Sequence, residues 1–172
     1  MKSDFFTQVH DIDGVVIRKL QPFKDERGFL TEFFRMDEID AALQPVMGYL
    51  SVTNPGVSRG PHEHIDQTDY FFFPGPGDFL LSLWDNRPAS STYRKRLAII
   101  TGESNTCTVV IPPRVVHAYH CISTIPGICI NIPNRLYRGD KKLQPVDEVR
   151  HEADPVSPFL LDFMKIIKER RS

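Results

Sequence analysis

The chain has 172 residues, 41 % of them hydrophobic and 25 % charged, with a formal net charge of -1. That size fits one domain with a single core, and the near-neutral balance excludes broad electrostatic attraction to nucleic acid or to an anionic membrane. No stretch approaches the ~20 consecutive apolar residues of a membrane span, and Met1 to Phe6 has no apolar signal region, so a cytoplasmic protein is expected. Cys107, Cys121 and Cys129 are odd in number and lack metal-type spacing, which fits buried thiols in a reducing compartment.

In chain order the apolar runs are short and rich in β-branched and aromatic residues. They are Val15–Leu20, Phe29–Phe34, Tyr49–Thr53, Tyr70–Phe73, Phe79–Trp84, Leu97–Thr101, Thr106–Ile111 and Ile128–Ile132. Turn signals separate them, among them Asp25-Glu26-Arg27-Gly28, Asn54-Pro55-Gly56 and Pro74-Gly75-Pro76-Gly77. Many short strands at this spacing predict an all-β sandwich or barrel. Phe79 to Trp84 is apolar nearly throughout, as a strand covered on both faces would be. A short helix is expected within Asp37–Leu43. A longer one is expected over about 157–170, with Ser157 as cap, Pro158 at its first position and an apolar stripe of Phe159, Leu160, Phe163, Met164 and Ile167. No linker or repeat divides the chain, so residues 1–172 read as one domain.

Four of the six histidines fall in two clusters about fifty residues apart: Arg59-Gly60-Pro61-His62-Glu63-His64 and Arg114-Val115-Val116-His117-Ala118-Tyr119-His120. Imidazole titrates near neutral pH and is also the commonest metal ligand, so the pair points to proton transfer or metal chemistry. On a strand His62 and His64 share a face, whereas His120 faces away from His117.

The pattern His62-x-His64-x4-Asp69, followed by Pro112-x-Arg114-x-x-His117, resembles the two motifs of the cupin superfamily, whose small jelly-roll barrel holds a divalent metal on such residues. It departs from that pattern in having Asp69 where Glu is usual and Arg114 in place of a glycine. A divalent metal on His62, His64, Asp69 and His117 is one reading.

A second resemblance covers about residues 14–137. Phe23-Lys24-Asp25-Glu26-Arg27-Gly28-Phe29-Leu30-Thr31-Glu32, Arg59-Gly60-Pro61-His62, Asp85-Asn86-Arg87 with Ser91-Thr92-Tyr93, and Ile111 to Tyr119 follow in the order and spacing of the dTDP-4-dehydrorhamnose 3,5-epimerases. That resemblance implies a metal-free jelly-roll cupin, a homodimer with its N-terminal strands at the interface, and no cofactor. The implied activity is epimerisation beside the ketone of a nucleotide-linked 4-keto-6-deoxy sugar in polysaccharide or deoxysugar biosynthesis. It assigns His62 as the base, with Arg59 and His117 as catalytic partners. It places Phe23, Arg27, Glu32, His64, Tyr119 and Tyr137 against the substrate.

Three family features have no counterpart. The catalytic lysine is replaced by the stretch Gln67-Thr68-Asp69-Tyr70, and the tyrosine expected about thirteen residues past His117 falls near Ile130 or Asn131. The late carboxylate that orients the base is not recognisable in Asn134–Tyr137 or Val146–Glu152. Tyr119, Tyr137 and His120 are the groups left to return the second proton. A cupin that binds a nucleotide sugar without turning it over is the remaining alternative.

Overall fold

The computed structural model describes residues 11–171. Met1 to Phe6, read above for a signal region, lie outside the described residues. Twelve strands and one long helix follow in order: β1 Val16–Lys19, β2 Phe23–Asp25, β3 Gly28–Leu30, β4 Tyr49–Thr53, β5 Ser58–Glu63, β6 Asp69–Phe73, β7 Asp78–Asp85, β8 Arg96–Gly102, β9 Cys107–Ile111, β10 Val115–Cys121, β11 Gly127–Asn131, β12 Val149–Arg150 and α1 Pro158–Arg171. Two antiparallel five-stranded sheets form, one ordered β1-β9-β6-β11-β4 and the other β12-β5-β10-β7-β8, with β2-β3 as a separate hairpin. This is the jelly-roll arrangement expected from the sequence.

The strands alternate as the period of two demands. Phe71 and Phe73 of the first sheet meet Phe79, Leu81, Leu83 and Tyr119 of the second in one buried cluster that fills the closed end. The opposite face of the second sheet is also covered, which explains the unbroken apolar run of β7. Leu80, Trp84, Val116 and Ala118 lie under Phe163 and Ile167 of α1. Burying those two helix side chains contributes about 1.5–3 kcal/mol each. Trp84 Nε1 adds a 2.8 Å bond to Asp162. The helix starts at Pro158 as expected, but the Ser157 hydroxyl, predicted to cap it, makes no hydrogen bond. Ser157 is buried there, and its carbonyl rather than its side chain serves the first turn, accepting from Leu161 N.

The expected helix at Asp37–Leu43 is instead two separate 3₁₀ turns, Met36–Glu38 and Ala41–Leu43. Only the first residues of the Phe29–Phe34 run pair as strand. Past Leu30 the chain leaves the hairpin, and Phe33 stacks on Phe72 with centroids 4.5 Å apart. All three cysteines are free and buried. Among the described residues no helix is long and apolar enough to cross a membrane.

Candidate active site

The two histidine clusters converge because their strands are neighbours. His62 of β5 is the direct cross-strand partner of His117 of β10, and their rings lie 4.4 Å apart between centroids. Gly60 permits this approach: its φ is +77°, and a Cβ there would sit 2.5 Å from the His117 carbonyl oxygen. His64 lies just past the end of β5 yet stays with the group, 5.7 Å from His62 and 5.8 Å from His117. Asp147 holds it there. Its carboxylate accepts from the backbone N–H groups of Ile65, Asp66 and Gln67 at 2.8–3.0 Å, and its carbonyl meets His64 Nδ1. The Arg114 N–H also donates to the His64 carbonyl at 2.8 Å, joining the two motifs. Arg114 adopts φ +61°, which accounts for the glycine usual at that place in the pattern.

Asp69 enters from the opposite sheet, at the start of β6. Its Oδ2 lies 3.2 Å from Nε2 of both His64 and His117. Its Oδ1 accepts from Gln67 Nε2 at 2.8 Å and from Asn131 Nδ2 at 2.7 Å. His117 Nδ1 donates to the Val115 carbonyl at 3.0 Å, which leaves Nε2 to face the carboxylate.

Electrostatics then separate the imidazoles. Burial, reinforced by the neighbouring His117 and His64 rings, pushes His62 down to about 2, so it is neutral at physiological pH. Burial acts on His64 in the same direction, but hydrogen bonding and charge from Asp69, with the Asp147 carbonyl, outweigh it and raise the ring to about 9. Burial works against the Asp69 charge, yet the His117 and His64 imidazoles 3.2 Å from its Oδ2 hold its carboxyl well below the usual range. A neutral imidazole therefore sits beside an imidazolium–carboxylate pair.

His62 and His64 face a cavity of about 1220 Å³. Of the residues singled out in the sequence, Arg59, His62, His64, Tyr119 and Tyr137 line it. His117 and Asp69, each 1 % exposed, stand directly behind the wall. Arg59 is fixed by bonds to Thr53 Oγ1 and the Val52 carbonyl, both 3.0 Å. His120 shares the outward parity of Val116 and Ala118 and bonds Ser58 Oγ at 2.8 Å, away from the cluster. Phe23, Arg27 and Glu32 are not brought to this cavity by the single chain. Phe23 is exposed on the hairpin, Arg27 is paired with Asp25, and Glu32 lies 3.5 Å from Arg35.

Two acids missed in the sequence reach the site from its C-terminal side. β12 pairs with β5, placing Arg150 opposite His62. Glu148 Oε1 and Glu152 Oε1 consequently lie 3.7 and 3.9 Å from His62 Nδ1, a buried atom with no hydrogen bond of its own. Both acids flank β12, a two-residue strand too short to carry a sequence pattern, and they stand where a late carboxylate would face the His62 ring. Burial raises the Glu152 carboxyl, and the nearby Glu148 adds to the effect.

The same pocket offers donors suited to a divalent transition ion. Ligand atoms of His62, His64 and His117 lie within 4.8 Å of one another, and buried His117 Nε2 and Asp69 Oδ2 lack a hydrogen bond of good geometry. Such an ion would be held by His62, His64 and His117 and would supply Lewis acidity toward an oxygen; Asp69 lies outside that set, 3.2 Å from His64 and His117.

The model of the family described as dTDP-4-dehydrorhamnose 3,5-epimerase matches residues 9–143. The chain belongs to that family. Among curated relatives of this family member, it is 35 % identical over 130 residues to the "Probable low-salt glycan biosynthesis epimerase Agl13" of Haloferax volcanii, covering 75 % of this chain and 81 % of that one. It is 34 % identical over 132 residues to the spore coat polysaccharide biosynthesis protein SpsL of Bacillus subtilis, covering 76 % and 85 %. A dTDP sugar isomerase from Desulfovibrio desulfuricans G20 shares the fold, with a TM-score of 0.74, 21 % identity and coverage of 86 % and 90 %. The dTDP-4-dehydrorhamnose 3,5-epimerase of Sulfolobus tokodaii aligns with a TM-score of 0.62 at 25 % identity, covering 71 % and 70 %. The epimerase family match ends before Glu148 and Glu152, so both acids come from beyond the matched span.

Proposed function

We propose that this epimerase acts on a nucleotide-linked 4-keto-6-deoxy sugar in polysaccharide or deoxysugar biosynthesis, removing and returning a proton on a carbon beside the ketone. The observation that carries this reading is a neutral His62 facing a large cavity, with two carboxylates at its far nitrogen and a charged His64–Asp69 pair beside it. A proton α to a ketone is only weakly acidic, so its removal needs a positioned base and stabilisation of the charge that develops. Neutral His62 is the form that accepts the proton. Its low basicity in the free protein is countered as the imidazolium forms, because Glu148 and Glu152 stand ready to take the Nδ1–H. Arg59 and the imidazolium of His64 supply positive charge for the enolate oxygen.

The rim bears Arg138, Lys141 and Lys142, cations suited to a diphosphate, which the chain lacks a glycine-rich loop to bind. Phe23, Arg27 and Glu32 would complete the nucleotide site in a homodimer. The hairpin supports such an interface, since Phe23, Phe29 and Leu30 are 68, 61 and 71 % exposed. A cytoplasmic location fits a substrate of this kind. No cofactor is required, as base and charge both come from side chains.

The test is incubation in deuterated water with dTDP- and GDP-linked 4-keto-6-deoxyhexoses. Deuterium should enter C3, C5 or both with one of them, and His62→Ala should slow entry by about 10³-fold. No entry with any, or undiminished entry in the variant, contradicts the proposal. Elemental analysis completes it: a stoichiometric divalent ion that is lost in His64→Ala would favour metal-assisted enolisation instead.

A further inference from the structure

Inversion at carbon requires a second group that delivers a proton to the face opposite the base, and the strand expected to carry that tyrosine has Asn131 instead. Asn131 on β11 is the register partner of Tyr49 on β4. Its amide orientation is set on both sides. Oδ1 accepts from the Tyr70 N–H at 3.0 Å, so Nδ2 donates to Asp69 at 2.7 Å and to the Tyr49 hydroxyl at 2.8 Å. A phenol whose oxygen accepts from an amide keeps its own proton free for another partner.

The placement of Tyr49 suits that use. It lines the cavity with His62, but from the other sheet: β4 closes the edge of β1-β9-β6-β11-β4, whereas His62 stands on β5 of the facing sheet. Tyr49 shares its strand face with Ser51 and Thr53, which bond inward to Tyr119 and Arg59. Tyr119 is already engaged, its hydroxyl 3.0 Å from Ser51 Oγ and its ring enclosed by Phe71, Phe73 and Phe79. A phenol is protonated at neutral pH, and burial with the Asp69 charge raises that of Tyr49 further.

We propose that Tyr49 is the catalytic acid that protonates the enolate from the face opposite His62, with Asn131 as the residue that positions it. The assignment rests on the epimerase reading above. His62 takes the α-proton while the C–H electron pair enters the enolate. The enolate carbon then forms its new C–H bond with the phenolic proton as the O–H bond breaks; the phenolate regains a proton from solvent and the His62 imidazolium gives its proton up to solvent.

The experiment follows dTDP-4-keto-6-deoxyglucose in deuterated water by NMR, reading exchange and inversion separately for the parent and for Tyr49→Phe in the full chain. Proton removal and return on one face needs only His62. The variant should therefore keep deuterium entry within ~5-fold and lose inversion by at least about 100-fold. Inversion at the parental rate in Tyr49→Phe overturns the assignment, as does its loss in Tyr119→Phe while Tyr49→Phe inverts normally. Loss of exchange and inversion together in Tyr49→Phe also overturns it, since Tyr49 would then serve removal or the fold. A parent that exchanges no proton overturns the epimerase reading, a result distinct from all of these.

Discussion

Asp69 and Asp85 are both carboxylates with 1 % exposure at strand ends facing the interior, and their surroundings differ in one respect. Asp85 is fully satisfied. It accepts from Arg87 Nε at 2.8 Å and Nη2 at 2.9 Å, from the Arg87 N–H at 3.1 Å, and from the hydroxyls of Ser90 and Thr92 at 2.6 and 2.5 Å. Those bonds outweigh burial and hold it well below the usual carboxylate range. Asp69 is satisfied on one oxygen only; the other faces two imidazoles at 3.2 Å without a well-aligned bond. Each unsatisfied polar atom in the interior costs stability, about 1–3 kcal/mol. The complete set around Asp85 folds the Asp85–Lys95 turn and fastens it to Asp13 through Arg87. The incomplete set around Asp69 lies directly behind the cavity wall, against His64, which lines it.

Substituting each in turn should separate the two roles. Asp85→Ala strips the acceptor from a guanidinium and two hydroxyls, and should cost about 3 kcal/mol of stability in a denaturant titration. Turnover per folded molecule should stay within ~3-fold, because Asp85 does not line the cavity. Asp69→Asn should do the reverse. His64 can shed its proton once the carboxylate is gone, so stability should change by less than about 1.5 kcal/mol while deuterium entry falls about 100-fold. Equal damage to both properties in both variants would erase the distinction.

The pH response is a smaller and sharper test. His64 is raised to about 9 from an ordinary 6.5, so the stabilisation it draws from Asp69 is complete below pH 6.5 and lost as pH climbs through 9. Melting temperature should decline across that window in the parent and stay flat in Asp69→Asn. A parent that holds its melting temperature to pH 9 would contradict the ion pair. The smallest effect concerns packing: Gly60→Ala would force the β5–β10 pair apart at a left-handed residue and should cost about 1–2 kcal/mol with a loss of turnover.

How much of this was legible in the sequence follows from the range of the interactions. The strands could be read from local alternation, and β4 runs from Tyr49 to Thr53 as expected. The meeting of His62, His64 and His117 was legible because two motifs fell in a family order. The parity rule also placed His120 outside the cluster. Glu148 and Glu152 were hidden: no pattern within Val146–Glu152 marks them, and only the β12–β5 pairing carries them to His62. Tyr49 was hidden for a similar reason. On its own it is one aromatic in a short strand, and its meaning appears only opposite Asn131, 82 positions later, across a ladder no local pattern encodes.

The central claim is that His62 and its companions stand over the reacting carbon of a bound nucleotide sugar. A crystal structure with a dTDP-sugar soaked in measures this most directly. The sugar carbon beside the ketone should lie about 3–3.5 Å from a His62 ring nitrogen, with the diphosphate toward Arg138, Lys141 and Lys142. A nucleotide sugar seated elsewhere, or one in this cavity with its sugar turned away from His62, would contradict it.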